Sequence, residues 1–327
     1  MASSPTLTPP STAPGRIVIA TRESRLALWQ AEHVQARLTA LYPGSRIELL
    51  PMTTRGDDLQ EARLALEGGK GLFIKELELA LADGRADLAV HSMKDMPVEL
   101  PDGFSLAAIT EREDPRDALV CNSYATLEDL PPGTVVGTSS LRRGAQITER
   151  FPALEIRPVR GNVNTRLAKL DRGDYGALIL AASGLKRLGM EARIRDYLSI
   201  EKSLPAAGQG ALGIECSTGR TDLLAAVAPL AHRGSSLCVR AERAVNCALG
   251  GNCSIPLGAY AEIWGETLRL RALVASPDAT RIARAEATGT ASDPEALGMK
   301  VAAMLRDRGA GEILAALLAV NARPPAA

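Results

Sequence analysis

Ala86-Asp87-Leu88-Ala89-Val90-His91-Ser92-Met93-Lys94-Asp95-Met96-Pro97 is the stretch on which the fold turns. Residues 86–90 form a short apolar run that reads as a buried strand. Pro97 has no N–H for a ladder, so the chain must turn before it. Polar side chains are therefore delivered at the carboxyl end of a core strand. That is where open α/β sheets bind ligands. Alternation puts His91 on the opposite face from Ser92 and Lys94. A Lys-Asp pair alone is most often a solvated loop. Its company changes the reading: a Gly-Lys-Gly loop before it, and arginine clusters and a cysteine loop after it.

Outward from there, Arg16 to Ala20 is a strand. The turn Thr21-Arg22-Glu23-Ser24 opens a helix through Trp29, Val34 and Leu38, with Ser24 as its N-cap. The helix stops before Pro43-Gly44, and Ile47 to Met52 completes a βαβ unit. Residues 53–71 are polar and punctuated by glycine, and read as a lid rather than a P-loop. An amphipathic helix follows from Leu72 to Leu81, ended at Gly84. Phe104 to Ile109 is a strand, and residues 111–117, dense in charge and carrying Pro115, are a crossing. A second α/β pattern has strands at 118–121, at Val135-Val136, at 154–159 and at 177–181. Leu204 to Gly210 returns the chain to a strand at 211–216. Two crossings imply two lobes with a hinged cleft. From Ser235 comes a helix to about Ala248. Strands at 257–264, 267–275 and 282–288 and one or two helices to Val320 then make a small α+β domain. The expected domains are 16–110 with 211–230, then 111–210, then 231–327, behind a disordered tail at 1–15.

Composition narrows the class. The 327 residues suffice for two or three domains. Lys+Arg and Asp+Glu are both 38, which favours neither nucleic acid nor an anionic membrane as partner. No apolar run spans a bilayer and the start lacks signal-peptide features, so a cytoplasmic protein is expected. The five cysteines read as reduced thiols. His232, Cys238, Cys247 and Cys253 fit no usual zinc spacing, and no metal is expected.

The basic residues are seven Lys against thirty-one Arg, and the arginines cluster. One device recurs: a strand, a short Gly/Ser/Asn turn, a helix start and a basic residue. It occurs at Arg22, at Thr138-Ser139-Ser140 with Arg142 and Arg143, at Arg160-Gly161-Asn162 with Arg166, and at Ser183-Gly184 with Arg187. Helix N-termini bind carboxylates and phosphates, and arginine adds bidentate geometry. The repetition implies one anionic ligand touched from several elements.

The strings TRESRLALWQA, GGKGLFIKELE, VHSMKD, DPRDALV, GTSSLRR, RGNVNTRL, AASGLKRLG, PAAGQGALGIE and NCSIPLGAYA occur in that order from Thr21 to Ala261. Together they resemble the porphobilinogen deaminase (hydroxymethylbilane synthase) family. The resemblance implies an α/β fold of two hinged domains like those of periplasmic binding proteins, plus a small α+β C-terminal domain. It implies a transferase of tetrapyrrole biosynthesis that joins four porphobilinogens head to tail with loss of ammonia. The growing polypyrrole is built on a covalent dipyrromethane cofactor, one per chain, and water releases linear hydroxymethylbilane. By resemblance Asp95 is the catalytic carboxylate and Cys253 the attachment point. Arg22, Ser24, Lys94, Thr138, Ser139, Ser140, Arg142, Arg143, Arg160, Asn162, Arg166, Arg187 and Gln209 would bind cofactor and substrate. A monomer is expected. One departure stands out: the family usually has Cys directly after Gly-Gly, and here Asn252 intervenes. The rival reading is a non-enzymatic anion receptor, suited by two lobes and arginine sites.

A receptor would carry no covalent pyrrole. Intact mass should therefore show two linked pyrrole units on the purified chain, and peptide mapping should place them on Cys253. An unmodified chain from a fully active preparation, or an adduct on Cys247, would refute the assignment.

Overall fold

The computed structural model describes residues 13–53, 74–250 and 255–321. The expected lid lies outside them apart from Thr53, as do Cys253 and all but the last three residues of the expected tail. The chain divides into two compact units, Met1–Arg112 with Ala211–Ser236, and Glu113–Gly210 with Leu237–Ala327.

The first unit is built on a five-stranded sheet in the order β2-β1-β3-β10-β4. Its strands are β1 (Arg16–Arg22), β2 (Arg46–Met52), β3 (Leu88–Ser92), β4 (Phe104–Ile109) and β10 (Leu212–Ser217). β1 runs parallel to β2 and β3, while the returning β10 inserts antiparallel between β3 and β4. Ile17 to Ala20 of β1 are apolar and buried because both faces of the strand are covered. Ile17 and Ile19 pack with Val34 and Leu38 of the helix Arg25–Leu41. Val18 and Ala20 pack with Leu77 and Leu81 of the helix Lys75–Ala82. Pro51 is tolerated in β2 because that strand is at the sheet edge. Order begins ahead of Arg16: Ala13 packs on this core, and the Gly15 carbonyl accepts the Arg46 N–H at 2.8 Å.

The second unit holds two sheets. One has the order β7-β6-β8-β5-β9. Its strands are β5 (Asp117–Cys121), β6 (Val135–Gly137), β7 (Glu155–Arg157), β8 (Ala177–Ala181) and β9 (Asp196–Leu198). Alternation again divides the core: Leu119 and Ile179 face one cluster, Val120 and Leu178 the other. The strand expected at 154–159 shrinks to Glu155–Arg157 because Pro158 cannot donate to a ladder. The other sheet is an antiparallel meander of β11 (Leu257–Trp264), β12 (Thr267–Ala275) and β13 (Ile282–Thr290). Gly265 turns the β11–β12 hairpin at φ +59°. The helices Arg233–Ala248, Pro294–Asp307 and Ala310–Asn321 accompany it. A small cluster of Ala145, Leu204, Leu273 and Ala275 joins the two sheets into one unit.

Gly298 lets two of those helices approach closely. A Cβ there would come within 2.5 Å of both the Ala241 carbonyl and the Ala244 Cβ. Backbone cannot yield as a side-chain tip can, so Gly298→Ala should destabilise by about 1–3 kcal/mol. Gly311 has nothing within 4 Å of an added Cβ. Its replacement by Ala should be neutral or stabilise by up to about 1 kcal/mol through helix propensity. Urea unfolding checks both, and equal effects at the two positions would contradict the close helix contact.

Candidate active site

In the first unit, three pieces of chain meet at the carboxyl ends of β1 and β3. β1 ends in Thr21-Arg22, and Ser24 caps the next helix by accepting the Ala27 N–H at 3.3 Å. The Thr21 hydroxyl donates to the Ala27 carbonyl at 3.0 Å, tying turn to helix. One helical turn on, Gln30 is 3% exposed and donates to Ser92 Oγ at 2.8 Å. It thereby fixes the end of β3 against the helix.

After Ser92 the chain makes one turn of 3-10 helix, Met93–Asp95. Met93 and Met96 are buried, and the Met93 N–H donates to the Ala211 carbonyl at 3.0 Å. Asp95, between these anchors, is exposed. Gly213 makes the seat: a Cβ there would meet Met93 Sδ at 2.5 Å and Met96 Sδ at 2.9 Å. A cleft of about 70 Å³ is lined by Arg22, Ser24, Gln30, His91, Ser92 and Asp95, among others. That is room for a group of a few heavy atoms. His91 and Ser92 both line it, although alternation would separate them, because β3 ends at Ser92 and the backbone changes course. His91 Nε2 lies 2.9 Å from Glu215 Oε2, both groups being buried. Burial pushes the Glu78 carboxyl up, with the neighbouring Glu215 carboxylate adding to the effect. Lys94 is half-buried on the 3-10 turn.

In the second unit, the turns expected to bind anions precede helix starts. Ser140 caps the helix Leu141–Arg150 by accepting the Arg143 N–H at 3.4 Å. Thr138 is buried and its Oγ1 accepts the Ser140 N–H at 3.2 Å. Ser139 Oγ donates to the Val159 carbonyl at 2.7 Å, joining this turn to the next. There Gly161 sits at φ +105°, and Asn162 Oδ1 caps the helix Val163–Asp171 by accepting the Thr165 N–H at 3.0 Å. Arg166 Nε donates to the Gly161 carbonyl at 2.7 Å. Arg160 and Arg166 are half-buried.

Arg142 and Arg143 are only 4% and 6% exposed, and both donate to Asp117. The Asp117 carboxyl is fully buried. Burial alone would raise it, but the charges of Arg142 and Arg143 outweigh that and hold it well below the usual carboxylate range. Gln209 Nε2 donates to Asp117 at 2.9 Å and to the Pro115 carbonyl at 2.7 Å, stapling the return segment to the start of β5. Glu242 steadies the same segment, accepting the Gly208 and Ala261 N–H groups at 2.7 and 2.8 Å. Arg187 Nη2 donates to the Gly210 carbonyl at 2.6 Å, and burial lowers its guanidinium to about 10. It remains a cation at neutral pH.

Asp117, Gln30, Glu242 and the His91–Glu215 pair were not among the expected site residues. Each acts through a partner far along the chain, which local pattern does not reveal. Cys121, Cys216 and Cys238 are buried, whereas Cys247 is exposed, because Val245 and Leu249 take the inward positions of its helix turn. Among the described residues there is no cluster of three or more metal-ligating side chains. Among them, too, no helix is long and apolar enough to cross a membrane.

The donor chemistry of the second unit suits a ligand bearing carboxylates. Neither the helix Leu141–Arg150 nor the helix Val163–Asp171 has an acidic residue in its first turn, and arginines flank both starts.

The family model "Porphobilinogen deaminase, dipyromethane cofactor binding domain" matches residues 17–225. The model "Porphobilinogen deaminase, C-terminal domain" matches residues 236–307. A porphobilinogen deaminase of Burkholderia thailandensis is 57% identical over 317 residues, 96% of each chain. One of Chromobacterium violaceum is 59% identical over 304 residues, covering 93% of this chain and 98% of that one. Among solved structures, a putative methionine-binding lipoprotein of Bacillus subtilis aligns with a TM-score of 0.42 at 13% identity, over 68% of this chain and 92% of that one. With both family models matched in order along nearly its whole length, the chain belongs to the porphobilinogen deaminase family.

Proposed function

We propose that Asp95 is the catalytic carboxylate of a transferase that joins four porphobilinogens head to tail and releases hydroxymethylbilane. The polymerising activity comes with family membership. The choice of Asp95 is carried by its place: an exposed carboxylate at the end of a buried strand, sharing a cleft with Arg22, Ser24 and Ser92.

The chemistry asks four things of the protein. Arg22 and Ser24 receive a substrate carboxylate and orient the aminomethyl group toward Asp95. Asp95 accepts a hydrogen bond from that ammonium. When the C–N bond breaks, its electron pair leaves with nitrogen as ammonia and the substrate methylene becomes cationic. Asp95 stabilises this cation by its charge. After the new C–C bond forms, the carboxylate takes the proton that the coupled pyrrole carbon sheds, and passes it to solvent. Lys94 lies beside it on the same turn and contributes to carboxylate binding. When bound through Cys253, the dipyrromethane supplies the pyrrole carbon to which the first unit is joined.

Thr138, Ser139, Ser140, Arg142, Arg143, Arg160, Asn162, Arg166, Arg187 and Gln209 are proposed to hold the acetate and propionate groups of cofactor and substrate. Arginine suits them because its planar fork matches a carboxylate. The proposed domains are 16–110 with 211–230, 111–210 and 231–327. The protein is proposed to be a cytoplasmic monomer.

Asp95→Asn keeps the shape and removes the charge. It should fold and still carry the pyrrole adduct by intact mass, yet lose at least ~10²-fold in kcat. Asp95→Glu should retain more activity than Asp95→Asn. Turnover of Asp95→Asn at the wild-type rate would remove Asp95 from the mechanism.

A further inference from the structure

Asp117 heads β5 and is wholly buried, and its two oxygens accept five hydrogen bonds. Oδ1 takes Arg143 Nε at 2.8 Å, Gln209 Nε2 at 2.9 Å and Arg142 Nη2 at 3.2 Å. Oδ2 takes Ser203 Oγ at 2.7 Å and Arg142 Nη1 at 2.8 Å. Arg142 is thus gripped through both terminal nitrogens of its fork, and Arg143 through its Nε. Arg143 Nη2 donates in turn to Gln209 Oε1 at 3.2 Å. The surrounding backbone is also tied. Arg142 Nη1 donates to the Leu204 carbonyl at 2.5 Å, and Gln146 Oε1 accepts the Leu204 N–H at 2.7 Å.

From this geometry we infer that Asp117 is a positioning residue for substrate and cofactor carboxylates, acting through Arg142 and Arg143. The inference rests on the reading that the arginine turns bind those groups. Arg142 and Arg143 occupy the first turn of a helix whose cap, Ser140, and preceding Thr138 belong to the same candidate anion site. An unheld arginine would lose rotamer freedom each time it met a ligand. One gripped by a buried carboxylate has lost that freedom already, so more of each contact appears as affinity. The grip also fixes the planes of the two guanidinium groups, and so the direction from which a ligand carboxylate meets their charge. Gln209 extends the effect: one side chain touches Asp117, Arg143 and the Pro115 carbonyl, so the return segment is set by the same carboxylate.

The test compares Asp117→Asn, Ser203→Ala and Arg160→Leu, each as purified, with the parent enzyme. KM and kcat for porphobilinogen, the thermal midpoint, and the adduct-bearing fraction by intact mass are measured for each. Asp117→Asn keeps the shape but turns an acceptor into an amide facing guanidinium donors. Positioning predicts a KM raised by roughly ten-fold or more and a smaller adduct-bearing fraction. A purely structural staple would lower the midpoint and leave KM and adduct fraction of the folded protein unchanged, which overturns the inference. If Asp117→Asn does not fold, Ser203→Ala decides, since it removes a single bond to the same carboxylate. Its KM should rise about three-fold, and an unchanged KM overturns the inference. Arg160→Leu separates the two levels, because Arg160 makes no bond to Asp117 among those described. A raised KM in Arg160→Leu with none in the Asp117 and Ser203 variants overturns the positioning role alone. An unchanged KM in Arg160→Leu overturns the arginine reading on which the inference stands.

Discussion

A carboxylate withdrawn from water must be answered by donors, and Asp117 is answered from four side chains. Two of them, Arg142 and Arg143, are themselves buried, so each ion compensates the other's desolvation. Breaking such a group from one side leaves a buried charge, which costs far more than the pair contributes net. The second unit is organised around this dependence. Asp117 starts β5, the arginines start the helix Leu141–Arg150, and Ser203 and Gln209 lie on the return segment. One acid therefore ties together three parts of the chain that apolar packing alone would leave free to slide. Its folded value is depressed, so its contribution is present above the ordinary aspartate value of 3.8 and is lost as pH falls below it.

The first unit meets a different constraint: an exposed acid has to be carried by a rigid seat. Met93 and Met96 bury themselves on either side of Lys94 and Asp95, and Gly213 supplies the hollow for both sulfurs. The turn is thus packed as core while its polar tip stays in solvent. Gln30 and Ser92 lock the strand end to the neighbouring helix across 62 residues of sequence. Loops positioned by such scaffolds can hold chemistry without being mobile themselves.

These two constraints explain what could be read in advance. β4, β8, β11 and β12 match their apolar runs residue for residue, since alternation and turn residues are local signals. The Ser24 cap was legible for the same reason. β9 carries no such signal, being three residues at a sheet edge with little to bury. The antiparallel insertion of β10 was also hidden, because strand order is settled by pairing across more than a hundred residues. At the candidate site the residue types and turns were legible, but the partners were not. Nothing near Asp117 in sequence distinguishes it from the other acids of the crossing at 111–117. Its role appears only when residues 142, 143, 203 and 209 are brought beside it.

The same distinction bears on how the arginines divide their work. Arg160 and Arg166 are half-buried and lie around a glycine turn at positive φ, where Arg166 Nε donates to the Gly161 carbonyl. Arg142, Arg143 and Arg187 are nearly enclosed and bind protein acceptors. A carboxylate approaching the first pair exchanges water for a charge-assisted contact. One approaching the enclosed set meets cations whose desolvation and orientation were settled during folding. Under the proposed carboxylate binding, the enclosed arginines fix direction and the half-buried ones capture. Lysine could serve neither role as well: its point charge has no fork to grip, and its longer-range freedom would have to be lost anew at every encounter.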